Sequence, residues 1–309
     1  MQRILSYLAP LSIGLLIVYI LYDQSTRTGT KESEAVLEPI VTQESMQPFL
    51  AVSYDLPKQI SFAGEAAPLD IPDVMERLDR ELQVNIYLQS STLFLLKRAN
   101  RWLPQMTEIL KAHGIPEDFK YLPLIESGLV NGVSPKDAVG YWQIREPAGK
   151  ELGLEITKEV DQRYDPIKST EAACKYLKKA YDKLGNWTLV AASYNRGVAG
   201  IRSDLDDQKI DNYYDAYLND ETSRYVFRIL AIKEIFENPA KYGFKIDPGH
   251  LYNPEPLHYI DINESIPDLV SFAKSNGSNY KLLKRYNPWL RQPRLTVKKG
   301  KTYQIALPV

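Results

Sequence analysis

One stretch of this chain surrounds a carboxylic acid with what it needs to hold a proton. In Tyr121-Leu122-Pro123-Leu124-Ile125-Glu126-Ser127-Gly128 a lone glutamate closes an apolar segment. A carboxyl at the end of an apolar helix is partly desolvated, which disfavours its charged form and raises its pKa. A general acid acting on a glycosidic bond near neutral pH has that requirement. On these residues alone two readings stand: Glu126 is such an acid, or an ordinary solvated glutamate at a helix end.

Four further clusters follow in order. Ser134-Pro135-Lys136-Asp137-Ala138-Val139-Gly140-Tyr141-Trp142-Gln143-Ile144 places small residues ahead of an aromatic-Gln pair, as in a tight loop presenting a ring and an amide. Then come Val160-Asp161-Gln162-Arg163-Tyr164-Asp165-Pro166, Ala191-Ala192-Ser193-Tyr194-Asn195-Arg196-Gly197 and Glu221-Thr222-Ser223-Arg224-Tyr225-Val226.

The elements that must position these residues are mostly helical. Val74, Leu78, Leu82 and Ile86 fall on one face of a helix beginning at Pro72. A second helix is predicted from about Thr92 to His113, with Pro104 as a kink or break and Gly114 closing it. A short helix is expected over Phe119 to Ser127. Asp165-Pro166 supplies an N-cap and first residue for another, ended by Gly185. Trp187 to Tyr194 and Glu221 to Glu237 complete the set, and strand-like alternation is hard to find before residue 245. The tail differs. His258 to Ile262 reads as a strand, Pro267 to Ser275 as a helix ended by Gly277, Tyr280 to Tyr286 as a helix stopped by Asn287-Pro288, and Thr302 to Leu307 as a closing strand. The expected fold class is therefore mainly α with a small α+β module at residues 250–309.

At the other end, Arg3 precedes an apolar run from Ile4 to Tyr22, near the length that spans a bilayer. No small-x-small cleavage site follows it, which favours an uncleaved membrane anchor at residues 1–22 over a removed signal segment. Residues 23–58 carry Ser, Thr, Glu and Gln punctuated by Pro39, Pro48 and Pro57, and read as an extended linker. The helical domain is then expected over 59–245.

Composition excludes several classes. A net charge of −1 over 309 residues lacks the basic excess of a nucleic-acid-binding protein. The lone Cys174, among Ala172, Ala173 and Leu177, permits no intrachain disulfide and reads as a small buried residue. With it and three histidines there is no metal cluster of convincing spacing. No cysteine follows the apolar N-terminal run, so a lipid-anchor site is absent there. The 21 tyrosines suit sugar contact, with a flat apolar face and a polar tip, or half-buried seams.

The clusters, in this order and at this spacing, resemble the lysozyme-like (goose-type) lytic transglycosylases, in particular the membrane-bound lytic murein transglycosylase D group. That family's pattern is Glu-Ser, then Ser and Gly-Ala-x-Gly-x-Trp-Gln-Phe, Val-Asp-x-Arg-x-Asp-Pro, Ala-x-Tyr-Asn-x-Gly and Glu-Thr-x-x-Tyr-Val. The resemblance covers roughly residues 60 to 240. The tail, with its Asn287-Pro288, is similar to a degenerate LysM-like glycan-binding module.

This resemblance implies roles residue by residue. Glu126 matches the catalytic acid/base, and Ser127 a residue that positions its segment. Ser134, Gln143, Tyr194, Asn195 and Tyr225 match substrate-binding positions, with Tyr194 expected near the Glu126 carboxyl. Trp142 either packs or touches glycan, and Asn195 serves equally as a helix C-terminal residue. Glu221 opens a helix where negative charge suits the dipole. Asp161 and Arg163 are expected to form a structural ion pair. Two departures fall in the substrate loop: Asp137 where the family has Gly, and Arg145 where an apolar residue is usual. Arg145 near Glu126 would favour its ionised form, and Asp137 would oppose it.

The implied activity is cleavage of the β-1,4 bond between N-acetylmuramic acid and N-acetylglucosamine without water, leaving 1,6-anhydro ends. No metal or organic cofactor is implied. The implied partners are peptidoglycan strands and, through the N-terminal helix, a membrane, with the catalytic domain in the periplasm of a bacterial envelope. The tail is expected to act as a tether that raises local glycan concentration. Two alternatives stay open: a lysozyme-type hydrolase with Asp137 holding a water, and a non-catalytic peptidoglycan-binding protein.

Overall fold

The computed structural model describes residues 51–309. The anchor expected at residues 1–22 and most of the expected linker lie outside the described residues. Among the described residues no helix is long and apolar enough to cross a membrane.

The structure is mostly helical, with a small strand pair in its C-terminal part. Helix α1 (Pro72–Tyr87) buries Val74, Leu78, Leu82 and Ile86, the expected stripe, against α8 (Asp220–Glu237). Both are tied by a buried glutamate: Glu81 accepts from Arg224 Nε at 2.7 Å. Helix α2 (Gln89–Ala112) runs through Pro104 without the predicted break. Leu95, Leu96 and Ala99 before it and Met106, Thr107 and Leu110 after it are buried. Packing on both sides holds the two halves together, while exposed Pro104 gives up one hydrogen bond.

The short helix expected over Phe119 to Ser127 is two elements, a 3-10 turn (Glu117–Tyr121) and α3 (Leu122–Ser127). Helix α4 (Glu146–Glu151) was not anticipated. Asp165 caps α5 (Pro166–Leu184) by accepting from Ile167 N and Lys168 N, and Gly185 closes it in the left-handed region. Helix α6 (Trp187–Arg196) is followed by a second unanticipated helix, α7 (Val198–Gln208), which buries only Ile201 and so offers no apolar period. Cys174 is buried within α5, and burial pushes its thiol up to about 12.

A two-residue hairpin, β1 (Ser61–Phe62) with β2 (Glu65–Ala66), precedes the helices. Strands this short leave no alternation to read. The hairpin delivers Glu65 to the start of α6, where its carboxylate accepts from Trp187 N at 2.7 Å and Thr188 N at 2.8 Å. Negative charge is favoured at that helix end.

In the C-terminal part β3 (Leu257–Ile262) pairs antiparallel with β4 (Tyr303–Pro308), flanking α9 (Leu269–Ser275) and α10 (Tyr280–Tyr286). Its core holds Ile262, Leu269, Leu283, Leu295, Ile305 and Leu307, together with Val160 from far upstream. Asn287 is buried and fully used: Nδ2 donates to Leu283 O and Ala306 O, and Oδ1 accepts from Ala306 N at 2.8 Å. Asn287→Ala strands one buried amide and a carbonyl, at about 1–3 kcal/mol for each unmet group. The expected cost is about 2–4 kcal/mol, read as a lower urea midpoint at unchanged slope.

Candidate active site

The six residues of α3 are set by burial on one side and capping on the other. Leu122, Leu124 and Ile125 are buried in the helical core, and Gly128 ends the helix with φ +59°. The last carbonyls of so short a helix need outside donors. Arg98 Nε donates to Gly128 O at 2.7 Å, and Arg228 Nη2 to Ile125 O at 2.8 Å. Ser127 Oγ lies 2.8 Å from Tyr141 O and 3.0 Å from Pro123 O, joining the helix to the loop that follows.

These contacts hold Glu126 half-buried at the helix end. Tyr225, on α8 and 2% exposed, donates its hydroxyl to Glu126 Oε1 at 2.5 Å. The other carboxyl oxygen has no hydrogen-bond partner among the described residues and is not one of the fully buried unpartnered atoms, so it reaches solvent. Desolvation raises the Glu126 pKa above the ordinary glutamate value. The Tyr225 bond and the charge of Arg228 oppose the rise, and Glu221 adds to it. The Tyr225 phenol is itself held well above its usual value by burial and by the facing carboxylate.

Tyr194 stands within electrostatic reach of Glu126 but makes a different bond. Its hydroxyl donates to Trp142 O at 2.7 Å, and burial, then the Glu126 charge, hold its phenol high. Trp142 is fully buried and donates Nε1 to Thr170 Oγ1, so of its two readings the packing one holds. Asn195, near the end of α6, donates to Glu221 Oε1 at 2.9 Å and accepts from Thr222 Oγ1 at 2.7 Å, joining α6 to the first turn of α8. Lys136 reaches exposed Glu221 from the loop at 3.7 Å.

That loop, residues 131–145, is folded on itself. Val139 bridges both Val133 and Ile144. Ser134 Oγ accepts from Ala138 N at 3.0 Å and Lys136 N at 3.3 Å. Gln143 Nε2 donates to Gly140 O at 2.7 Å, which leaves the amide oxygen as its unengaged end among the described residues. Gly140 has φ +80°, and a Cβ there would stand 2.0 Å from the backbone oxygen of Arg163. Arg163 pairs with Asp161 at 2.7 Å in a buried ion pair, as expected, and its Nη1 reaches Ile144 O and Asp137 O.

The two loop departures have local explanations. Asp137 is exposed with φ +58°, a conformation that favours Gly and that Asp tolerates better than most residues. Arg145 is exposed at the start of α4. Neither is among the groups that shift Glu126. The charges that do, Arg228 and Glu221, went unread in that role, although Arg228 lies three residues after Tyr225 and so shares its helix face. Two cavities, of about 920 and 710 Å³, are lined by residues other than Glu126. Among the described residues no three His, Cys, Asp or Glu side chains are grouped to hold a metal.

A buried-helix glutamate bonded by a tyrosine, beside a loop carrying Trp-Gln, matches a defined class of domain. The transglycosylase SLT domain profile matches residues 107–216, and the soluble lytic transglycosylase C-terminal LysM-like domain profile matches residues 258–309. The chain carries both domains. It is homologous to membrane-bound lytic murein transglycosylase D of Escherichia coli, 29% identical over 197 residues, which is 60% of this chain and 42% of that protein. A putative tributyltin chloride resistance protein of an Alteromonas species is 33% identical over 116 residues, 36% of this chain and 55% of that one. The chain thus spans less than two thirds of either relative. Among solved structures, the 70 kDa soluble lytic transglycosylase of Escherichia coli aligns with TM-score 0.42 and 17% identity over 57% of this chain and 33% of that one. Lytic transglycosylase Slt of Pseudomonas aeruginosa aligns with TM-score 0.36 and 19% identity over 50% and 26%.

Two outcomes are expected. Gly140→Ala combines a left-handed φ with a backbone clash and should cost about 2–5 kcal/mol of stability in urea unfolding. For Glu126, a raised folded pKa means that stability is fully present below the ordinary glutamate range and lost as pH rises through the folded value. Glu126→Gln, which cannot ionise, should therefore melt higher than the parent at neutral pH, by about 2–4 °C per kcal/mol relieved. The gap should close on acidification below the ordinary glutamate range, and a gap that widens there would contradict the assignment.

Proposed function

We propose that this protein is a peptidoglycan lytic transglycosylase that cuts the β-1,4 bond between N-acetylmuramic acid and N-acetylglucosamine, with Glu126 as its acid and base. The observation that carries this reading is the Glu126 carboxyl itself. Burial raises its pKa above the ordinary glutamate value, Tyr225 fixes one oxygen, and the other is open to solvent. The domain matches and the homology to a lytic murein transglycosylase supply the substrate class.

The chemistry needs one carboxyl used twice. Protonated Glu126 donates to the glycosidic oxygen, and the N-acetylglucosamine alcohol leaves. The substrate's own acetamido oxygen shares the positive charge developing at the muramic C1. Glu126, now a carboxylate, takes the proton of the muramic C6 hydroxyl, whose oxygen attacks C1 and closes the 1,6-anhydro ring. No water enters, and Glu126 ends protonated as it began. Tyr225 holds the carboxyl in one orientation through both steps, and its bond strengthens on the ionised form. Ser134, Gln143, Tyr194, Asn195 and Tyr225 are the proposed substrate-binding set, as the resemblance implies.

The hydrolase alternative asked Asp137 to hold a water. Asp137 is exposed and is not among the groups that act on Glu126. Glu221 does act on Glu126, yet it is exposed and already engaged by Asn195 and Lys136. The relative named membrane-bound, together with the apolar run at Ile4–Tyr22, supports a site at the bacterial envelope with the catalytic part in the periplasm.

The test is the mass of the products. Purified peptidoglycan digested by the protein should release muropeptides whose ends are about 18 Da lighter than hydrated ones, the difference between internal attack and attack by water. Glu126→Gln should lose this activity by about 100- to 10,000-fold. Hydrated ends would make the protein a hydrolase, and no release by the parent protein would leave only glycan binding.

A further inference from the structure

Residues 155–165 belong to two places at once. On one side they are gripped by the C-terminal module. Val160 is 2% exposed inside that module's core, with Leu269, Leu283 and Leu290. The backbone is paired there as well: Asp161 N donates to Trp289 O at 2.9 Å and Arg291 N to Glu159 O at 2.7 Å. Side chains add to the grip. The Glu159 carboxylate accepts from Arg294 Nε at 2.7 Å and from Thr296 N at 2.8 Å. Glu155 accepts from Lys301 and from the Tyr303 hydroxyl. The Arg291 guanidinium lies 3.8 Å from the centre of the Tyr164 ring.

On the other side the same segment holds the loop beside Glu126. The Asp161 carboxylate orients Arg163, and Arg163 Nη1 reaches the carbonyls of Ile144 and Asp137. Arg163 O is the atom against which Gly140 packs. Tyr164 O accepts from Asn131 Nδ2 at 2.8 Å. Every one of these loop contacts is made by a residue within four positions of Val160.

We infer that the C-terminal module positions the substrate loop, residues 131–145, through the segment 155–165, with Glu159 and Arg291 as positioning residues, so that it sets affinity for glycan at the Glu126 site. This rests on the function proposed above and gives the module a role besides that of the expected tether. A tether acts by raising local concentration and leaves the site untouched. A brace acts on the site whether or not the wall is present. The bonds from Arg163 and Tyr164 to the loop carry the effect, because they join Asn131, Asp137 and Ile144 to the segment in addition to the loop's own internal bonds.

The test uses the full chain with Arg291→Ala and Arg294→Ala together, and separately Glu159→Gln. Arg291 and Arg294 are exposed and Glu159 is half-buried but outside both apolar cores, so both cores stay filled. The substrate is a soluble tetrasaccharide of alternating N-acetylglucosamine and N-acetylmuramic acid, which a wall tether does not concentrate. The expected result is a KM raised about 2- to 30-fold with kcat nearly unchanged, the range of coupling seen between sites linked by packed elements. Amide exchange at Val139, Gly140 and Ile144 should accelerate in the same variants, while sedimentation with insoluble peptidoglycan is kept. An unchanged KM with unchanged exchange overturns the inference, and if sedimentation falls at the same time the module is a tether alone. Should the parent protein release no anhydro products, the activity reading fails and the exchange measurement decides the brace by itself.

Discussion

A carboxyl proposed as a general acid has to lose most of its water and yet keep one face open. This structure meets the first demand with apolar packing and the second with a very short helix. Leu122, Leu124 and Ile125 anchor α3 in the helical core, and the helix stops at Gly128, one turn beyond the anchor. Glu126 is therefore carried at the edge of the core. Its desolvation is the largest influence on its pKa, larger than the Tyr225 bond that opposes it. The donors on either side answer the same constraint. Arg98 and Arg228 cap the exposed carbonyls of α3, and Arg228 places a positive charge near the acid without bonding to it.

The surrounding loop depends on a second constraint, the approach of Gly140 to the backbone of Arg163. At that distance no side chain fits, so the loop and the segment 155–165 behave as one folded layer. The buried Asp161–Arg163 pair then serves the loop, because its guanidinium is shared with two loop carbonyls. A buried pair is weak grounds for stability taken alone. Here it ties the loop carbonyls of Asp137 and Ile144 to the segment, in addition to the loop's own internal bonds.

Much of this was legible in the residues. The apolar stripe of α1 is the one that periodicity marked, and Asp165-Pro166 and Gly185 bound α5 as their types require. The glutamate stood out by its apolar segment, and the roles of the Trp-Gln loop and of Tyr225 were implied by the resemblance; the fold brings Tyr225 onto Glu126. What escaped was tertiary. Pro104 was expected to kink or break α2, and the helix continues through it with packing on both sides. The hairpin at Ser61–Ala66 is too short to leave a pattern, although it supplies the cap of α6. Tyr194 lies within electrostatic reach of Glu126, as expected, but the residues gave no sign that its hydroxyl bonds the Trp142 carbonyl. Nothing in the residues announced that Val160 belongs to the core of the C-terminal module, because one valine beside an acidic motif carries no periodic signal.

That misplaced valine has a consequence for the order in which the molecule is assembled. A chain made from its N-terminus delivers Glu126, its loop and Val160 long before α10 and β4. Until those last elements arrive, Val160 lacks its apolar partners and the amide of Asp161 lacks Trp289 O. The helical core is in hand earlier, since its last buried residues, Tyr242 and Phe244, precede β3. The layer that faces the acid is not. The packing around Val160 is complete only once the final strand supplies Ile305 and Leu307.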